Sequence, residues 1–227
     1  MASTEFVDPY LDPETGLLRN LVGARDNATL IAAEGALVFA RAVQLLDRPV
    51  APTGDLAELR AIHRFLFQDL FDWAGLLRTV DIRKNVERSE FFLPVSLIER
   101  AARFTVEELR TDRELRGMSR DQFVERLAHH YDQLNYIHPF REGNGRAQRV
   151  FWSRIARDAG WQLDWRVVQG DVNDEACRIA IESGDHGPLR AMFILAVTVA
   201  PDASDRDDAW KRDEKDRLGL ARDPDPR

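Results

Sequence analysis

His138-Pro-Phe-Arg-Glu-Gly-Asn-Gly-Arg-Ala-Gln-Arg149 lies between two stretches of helical periodicity. Upstream, Phe123, Leu127, Tyr131 and Leu134 recur at helix-face spacing; downstream, Ala147, Val150, Phe151 and Ile155 do the same. The segment therefore reads as a loop joining two core helices, with the second helix beginning at its glycines. That placement decides the fold class. A P-loop would need Gly-x4-Gly-Lys-Ser/Thr, and a dinucleotide fingerprint would need a strand before the glycines; neither is present.

Working outward, Leu30, Ala33, Leu37, Ala40 and Val43 predict a helix from Asn27 to about Leu46, closed by Pro49 and the Ala51-Pro-Thr-Gly54 turn. Asp55 is an N-cap for a second helix carrying Leu56, Leu59, Ile62, Leu66 and Leu70. Ser96-Leu-Ile-Glu99 and Ser119-Arg-Asp-Gln122 both match a capping box. Further helices are expected over Val172 to Glu182 and Pro188 to Val199, with Ala191 to Ala200 as a buried apolar helix and Gly160 as a helix stop. Alternation in Arg78-Thr-Val-Asp-Ile-Arg83, followed by Glu90-Phe-Phe-Leu93, predicts a short hairpin. The fold class is mainly α: a helical bundle with one β-hairpin. Residues 1–20 read as an extended lead-in, 21–200 as one catalytic domain, and 201–227 as a polar tail too poor in apolar residues to order itself.

The 227 residues are 44% hydrophobic and 31% charged, with a net charge of −7, and the pI is near 5.3. This balance suits one compact domain and argues against direct nucleic-acid binding, which needs a surplus of Lys and Arg. A single cysteine, Cys177, fits a reducing compartment. The acidic start shows no secretory signal, and no run reaches the roughly 18 to 20 apolar residues of a membrane span. The expectation is a cytoplasmic protein without a membrane partner.

The loop's residue types carry chemistry together. Gly143 and Gly145 permit positive φ and close approach at a helix N-terminus, where backbone N–H groups and the dipole favour an anion. Arg146 and Arg149 sit three apart on the first turn and suit a chain of phosphates. Glu142 beside a polyphosphate suits Mg²⁺, a hard cation that prefers oxygen ligands. Asn144 can either bond a phosphate or hold the loop's shape. His138 has the side chain that accepts a proton near neutral pH, as activation of a hydroxyl requires. Phe140 reads as an anchor to the core. His129 and His130 lack zinc-site spacing and read as helix polar positions or loop supports, and Trp161 and Trp165 read as core, with the lining of an adenine pocket as the alternative.

This constellation resembles the Fic family motif, His-x-Phe-x-(Asp/Glu)-Gly-Asn-Gly-Arg-x-x-Arg, which His138, Phe140, Glu142, Gly143, Asn144, Gly145, Arg146 and Arg149 match at every specified position. The likeness extends through Leu17-Leu-Arg-Asn-Leu21, Ile62-His-Arg-Phe-Leu-Phe67 and Trp73-Ala-Gly-Leu-Leu-Arg78, roughly residues 10 to 195. The resemblance implies a protein adenylyltransferase with ATP as co-substrate and Mg²⁺ at Glu142. His138 would be the base, the Gly143-Asn144-Gly145 backbone would hold the α-phosphate, and Arg146 and Arg149 would hold the β- and γ-phosphates. It also makes the hairpin, with Thr79, Val80, Asp81, Ile82, Arg83, Lys84, Phe91 and Phe92, a flap that docks the target protein. Phe91 and Phe92 either clamp or pack.

Many Fic proteins carry an inhibitory (Ser/Thr)-x-x-x-Glu-(Gly/Asn) helix, and here no Ser or Thr has Glu four residues later. Leu30-Ile-Ala-Ala-Glu34-Gly35 comes nearest, with Leu where the hydroxyl should stand, so Glu34 reads as a solvated helix residue rather than a built-in inhibitor. The layout resembles Fic toxins held in check by a small helical antitoxin bearing that motif, with a type II topoisomerase subunit as the first target; the alternative is an effector delivered into another cell. Two other readings are transfer of phosphate or another nucleotide moiety, and an inactive binding module.

Overall fold

The computed structural model describes residues 8–83, 91–206 and 208–220. Among them the helices run α1 (Asn27–Asp47), α2 (Leu56–Phe67), α3 (Ile98–Thr111), α4 (Arg120–Ile137), α5 (Asn144–Asp158), α6 (Gly170–Ser183), α7 (Gly187–Ala196) and α8 (Asp208–Arg217). One two-stranded antiparallel sheet, β1 (Trp161–Leu163) and β2 (Val197–Val199), completes a mainly α fold. The central element is α5. It buries Ala147, Gln148, Phe151, Trp152, Ser153, Ile155 and Ala156, more than one face of a helix, and packs on α2, α4 and β1.

Local chemistry sets the helix starts. The Asp55 carboxylate accepts the N–H groups of Ala57 and Glu58 to cap α2, and Asp26 caps α1 through Thr29. At Ser119 both halves of the capping box form. The Ser96 box does not. Pro94 starts a 3-10 turn over Val95–Leu97, so α3 begins at Ile98 without a side-chain cap. The expected helix through Val199 also stops early, at Ala196. Its β-branched end, Val197-Thr-Val199, pairs in register with Trp161–Leu163 instead. Gly160, at φ +89°, turns the chain out of α5 into β1.

Both chain ends are fastened to the core. In the lead-in, Tyr10 and Leu18 are buried, Leu11 bridges Leu18, and the Asp8 carboxylate holds Arg141 at 2.9 Å. In the tail, α8 forms, and Glu214, Leu218 and Leu220 are buried. Few apolar residues suffice there because they join the existing core rather than build their own. Among the described residues the arms of the hairpin meet at the bridge of Arg83 to Phe91, with the Phe92 N–H on Ile82 O at 3.1 Å. Lys84 and the rest of the tip lie outside the described residues.

By length and composition α1 is apolar enough to cross a membrane. Here it packs on α2 and buries Leu30, Glu34, Val38, Ala42 and Leu45, the stripe of a core helix. The capping analysis predicts that Ser119→Ala lowers unfolding free energy by about 1 kcal/mol. In urea titration this appears as a lower midpoint with an unchanged m-value, and an unchanged midpoint would show that the box contributes nothing.

Candidate active site

The loop between α4 and α5 starts at His138, which ends α4 in a left-handed conformation, φ 45° and ψ 63°. Such a conformation is uncommon for a residue with a side chain and has to be held by its surroundings. Arg78 does much of this. Its guanidinium is buried and donates to His138 O at 2.8 Å, Val80 O at 2.9 Å, Ile137 O at 3.4 Å and Leu93 O. Its own N–H reaches Pro139 O at 2.9 Å. One side chain thereby ties the end of α4 to both arms of the hairpin. Burial lowers its pKa from the usual arginine value, opposed by nearby Asp81.

The imidazole of His138 is oriented from two sides. Its Nδ1 lies 3.1 Å from Asn135 O, a partner that only accepts, so Nδ1 carries the proton and Nε2 carries the lone pair. The Phe92 ring stacks on it at 3.7 Å between centroids and 12° between planes. Phe92 therefore packs on the His138 imidazole. Phe91, by contrast, is exposed and sits beneath the Arg83 guanidinium. Of the remaining flap residues, Thr79 N–H donates to the Tyr10 hydroxyl, and Asp81 accepts the Val95 N–H.

Further along, Phe140 is fully buried. Its N–H donates to Asn144 Oδ1 at 2.9 Å, and its carbonyl accepts Asn144 Nδ2 at 2.8 Å. Both ends of the Asn144 amide are thus spent on the loop's shape, which leaves its backbone at the start of α5 as the part that can face a ligand. Gly143, at φ +80°, caps α5, and a Cβ there would lie 2.4 Å from Phe67 Cζ. Only glycine fits. Gly145 has no positive φ, contrary to expectation; a Cβ there would meet nothing within 4 Å, so its face of the helix start is open.

His63 supports the loop from α2. The imidazole accepts the Gly75 N–H at Nδ1, 2.8 Å, and donates from Nε2 to Glu142 O at 2.9 Å. It stacks between Phe140 and Phe67. Burial pushes its pKa down to about 3, opposed by the bond to Glu142 O and helped by Arg146. It is therefore a neutral strut.

Two charged residues begin α5. Arg146 is buried and lies 2.5 Å from Glu34 Oε1 and 3.3 Å from Glu142 Oε1, with its guanidinium over the Phe67 ring. Glu34 is therefore no solvated helix residue; it is buried because α1 turns that stripe onto α2 and the α5 start. Glu142 accepts from the Gly143 N–H and from Arg146, both at Oε1. Its Oε2 is the oxygen available to a cation. Arg149 extends the other way, to Gly219 O at 3.1 Å and over Trp165. Trp165 is core: its indole N–H bonds Ser153 Oγ.

His129, His130 and Glu108 bring three donor atoms within 4.8 Å of one another. Arg126 already occupies this cluster, with Glu108 at 3.2 Å and Asp112 at 2.5 Å. Burial opposes the charged form of Glu108, but hydrogen bonds from Gln133, His129 and Arg126 outweigh it and hold the carboxyl down at about 2. The cluster reads as a network pinning α3 to α4.

Against known proteins, the Fic/DOC family matches residues 53–156. The probable protein adenylyltransferase Fic of Escherichia coli is 37% identical over 198 residues, covering 87% of this chain and 94% of its own. The protein adenylyltransferase VbhT of Bartonella schoenbuchensis is 39% identical over 176 residues, 78% of this chain but 36% of its own length. Among solved structures, BepC, a VirB-translocated effector of Bartonella tribocorum with bound AMPPNP, superposes with a TM-score of 0.76 at 27% identity, covering 85% of this chain and 97% of that one. A Fic domain from Bartonella quintana with bound ADP gives 0.74 at 26% identity, covering 86% and 96%. This chain belongs to the Fic/DOC family.

Sequence reasoning missed the supports, although each left a signal. His63 falls on the apolar face defined by Leu59, Ile62 and Leu66, and Arg78 follows Leu76 and Leu77. The His63 pKa carries a pH consequence. The unfolded chain takes up a proton near pH 6.5 and the native one only near 3, so the unfolded state binds more protons across that window. The stability His63 contributes is complete above it and lost as pH falls, at about 1.4 kcal/mol per pH unit. Replacing it by glutamine removes this slope. The stability gap between the native protein and His63→Gln should narrow steadily from pH 6.5 towards 4 in urea titrations, whereas parallel pH profiles would contradict a neutral buried imidazole.

Proposed function

We propose that this chain is a protein adenylyltransferase that transfers AMP from ATP to a Tyr, Thr or Ser hydroxyl of another protein. The observation that carries the reading is His138, held with its lone pair on Nε2 at the mouth of a loop that ends in an open helix N-terminus. A hydroxyl placed at Nε2 gives up its proton there while its oxygen bonds to the α-phosphorus. The bond from that phosphorus to the bridging oxygen breaks, and pyrophosphate leaves with the electron pair. The backbone at Gly143, Asn144 and Gly145 suits charge on the α-phosphate, and Arg146 and Arg149 suit the outer phosphates.

One carboxylate with an uncommitted oxygen beside a phosphate site fits Mg²⁺. Glu142 would hold it, and the ion would neutralise phosphate charge. Arg146 holds Glu142 through Oε1 and would leave Oε2 for the ion. The hairpin arms, Thr79 to Arg83 and Phe91 to Phe92, would dock a target strand over His138, a reading supported by the Phe92 ring stacked on that imidazole.

The names of the relatives support a protein target, and we take residues 21–200 as the catalytic domain. We also place the chain in the cytoplasm as a toxin restrained by a small helical antitoxin that supplies the missing Ser/Thr-x-x-x-Glu-Gly/Asn motif, with a type II topoisomerase subunit as first target. The translocated Bartonella neighbours supply the alternative, delivery as an effector. Incubation with target lysate and ATP labelled at the α- or γ-phosphate tests the chemistry. Label should arrive from the α-phosphate alone and fall at least about a hundredfold in His138→Ala. Transfer from the γ-phosphate would make the chain a kinase-like branch member, and label independent of His138 would remove the base assignment.

A further inference from the structure

Residues 208–220 belong to the tail, 201–227, expected to be flexible, yet they pack on the core and reach Arg149. The segment is fastened at several points. Glu214 is buried and accepts from Arg157 at 2.8 Å and Gln162 at 2.7 Å. Leu218 and Leu220 each expose 3% and join the main core cluster. Lys211 pairs with Asp47 at the end of α1. Between the two buried leucines, Gly219 turns through φ +64° and presents its carbonyl to Arg149 Nη1 at 3.1 Å, while Trp165 lies across the guanidinium.

We propose that this C-terminal strap is a positioning element of the nucleotide site: Gly219 O and the Trp165 ring aim the Arg149 guanidinium at the outer phosphates. The inference rests on the reading of Arg149 as a phosphate ligand. A carbonyl acceptor fixes the direction of one N–H, and an aromatic face fixes the plane of the guanidinium; together they remove the rotamer freedom that arginine otherwise loses on binding. A strap anchored by two buried leucines and a doubly bonded glutamate stays in place when ligand arrives. It is a fixed wall of the site and not a removable plug. The position also favours glycine, because its φ is +64° and a Cβ at 219 would press on Arg149 Nη1 at 3.1 Å and Trp165 Cβ at 3.3 Å.

The test uses the full chain and compares its affinity for AMPPNP, which carries the outer phosphates, with that for AMP, which lacks them. Gly219→Ala should weaken AMPPNP binding about tenfold, the usual order for a misdirected bond to a charged group, and leave AMP unchanged. In an Arg149→Ala background the same substitution should do nothing further. Glu214→Gln loosens the strap at a distance and should act in the same direction, more weakly, with the same dependence on Arg149; it serves if Gly219→Ala fails to fold. Tighter AMPPNP binding in either variant, an equal loss for AMP, or a loss that persists without Arg149 overturns the positioning role. If Arg149→Ala itself leaves AMPPNP affinity intact, the phosphate assignment falls with it. If Arg149→Ala weakens binding and the strap variants do not, the strap alone is refuted.

Discussion

Between Ile137 and Asn144 the chain leaves one helix, passes through a left-handed histidine and a left-handed glycine, and enters another, so its buried carbonyls have no helical partners. Each must be satisfied from elsewhere, since a buried polar group left alone costs about 1 to 3 kcal/mol. Arg78 takes the carbonyls of Ile137 and His138 with its guanidinium and that of Pro139 with its backbone. Asn144 takes Phe140, and His63 takes Glu142. These partners come from α2, from the segment leading to the hairpin and from α5 itself. The rest of the bundle is arranged so that they converge, and the shape of the loop is the shape of the site.

The electrostatics divide the two arginines of α5. Arg146 is matched by Glu34 and Glu142 and lies buried among α1, α2 and the loop. Arg149 is directed by a backbone carbonyl and a tryptophan at the other side. A nucleotide entering between them would meet one guanidinium that holds Glu142 Oε1 and one that contacts the Gly219 carbonyl and the Trp165 ring. The Glu34 contact also shows how α1 is tied to the loop: a glutamate 112 residues from Arg146 in sequence reaches it because helix periodicity places it on the Leu30, Val38 and Ala42 stripe.

Much of this was legible before the structure. The periodic helices, the Asp55 and Ser119 caps and the motif loop follow from spacing and residue type, because each is a local relation. What was not legible depends on distant partners. Glu34 looked solvated since nothing nearby in sequence reveals Arg146, and the tail looked disordered since its few apolar residues are enough only when an existing core receives them. Asn144 was ambiguous for the same reason: its amide could serve ligand or loop, and only the return of Phe140 to within hydrogen-bonding distance decides for the loop. The Val197-Thr-Val199 strand was hidden by an apolar run that also fits a helix, and pairing with Trp161–Leu163 settles it.

The central claim is that the loop and the start of α5 form a preshaped polyphosphate site with His138 at its mouth. A crystal structure of this chain with AMPPNP and Mg²⁺ tests it most directly. The account predicts the α-phosphate against the backbone of Gly143 to Gly145, the metal on Glu142, the outer phosphates on Arg146 and Arg149, and His138 Nε2 facing the α-phosphorus. A nucleotide bound away from the α5 N-terminus, or a loop rebuilt to receive it with the Asn144 and His63 bonds broken, would contradict it.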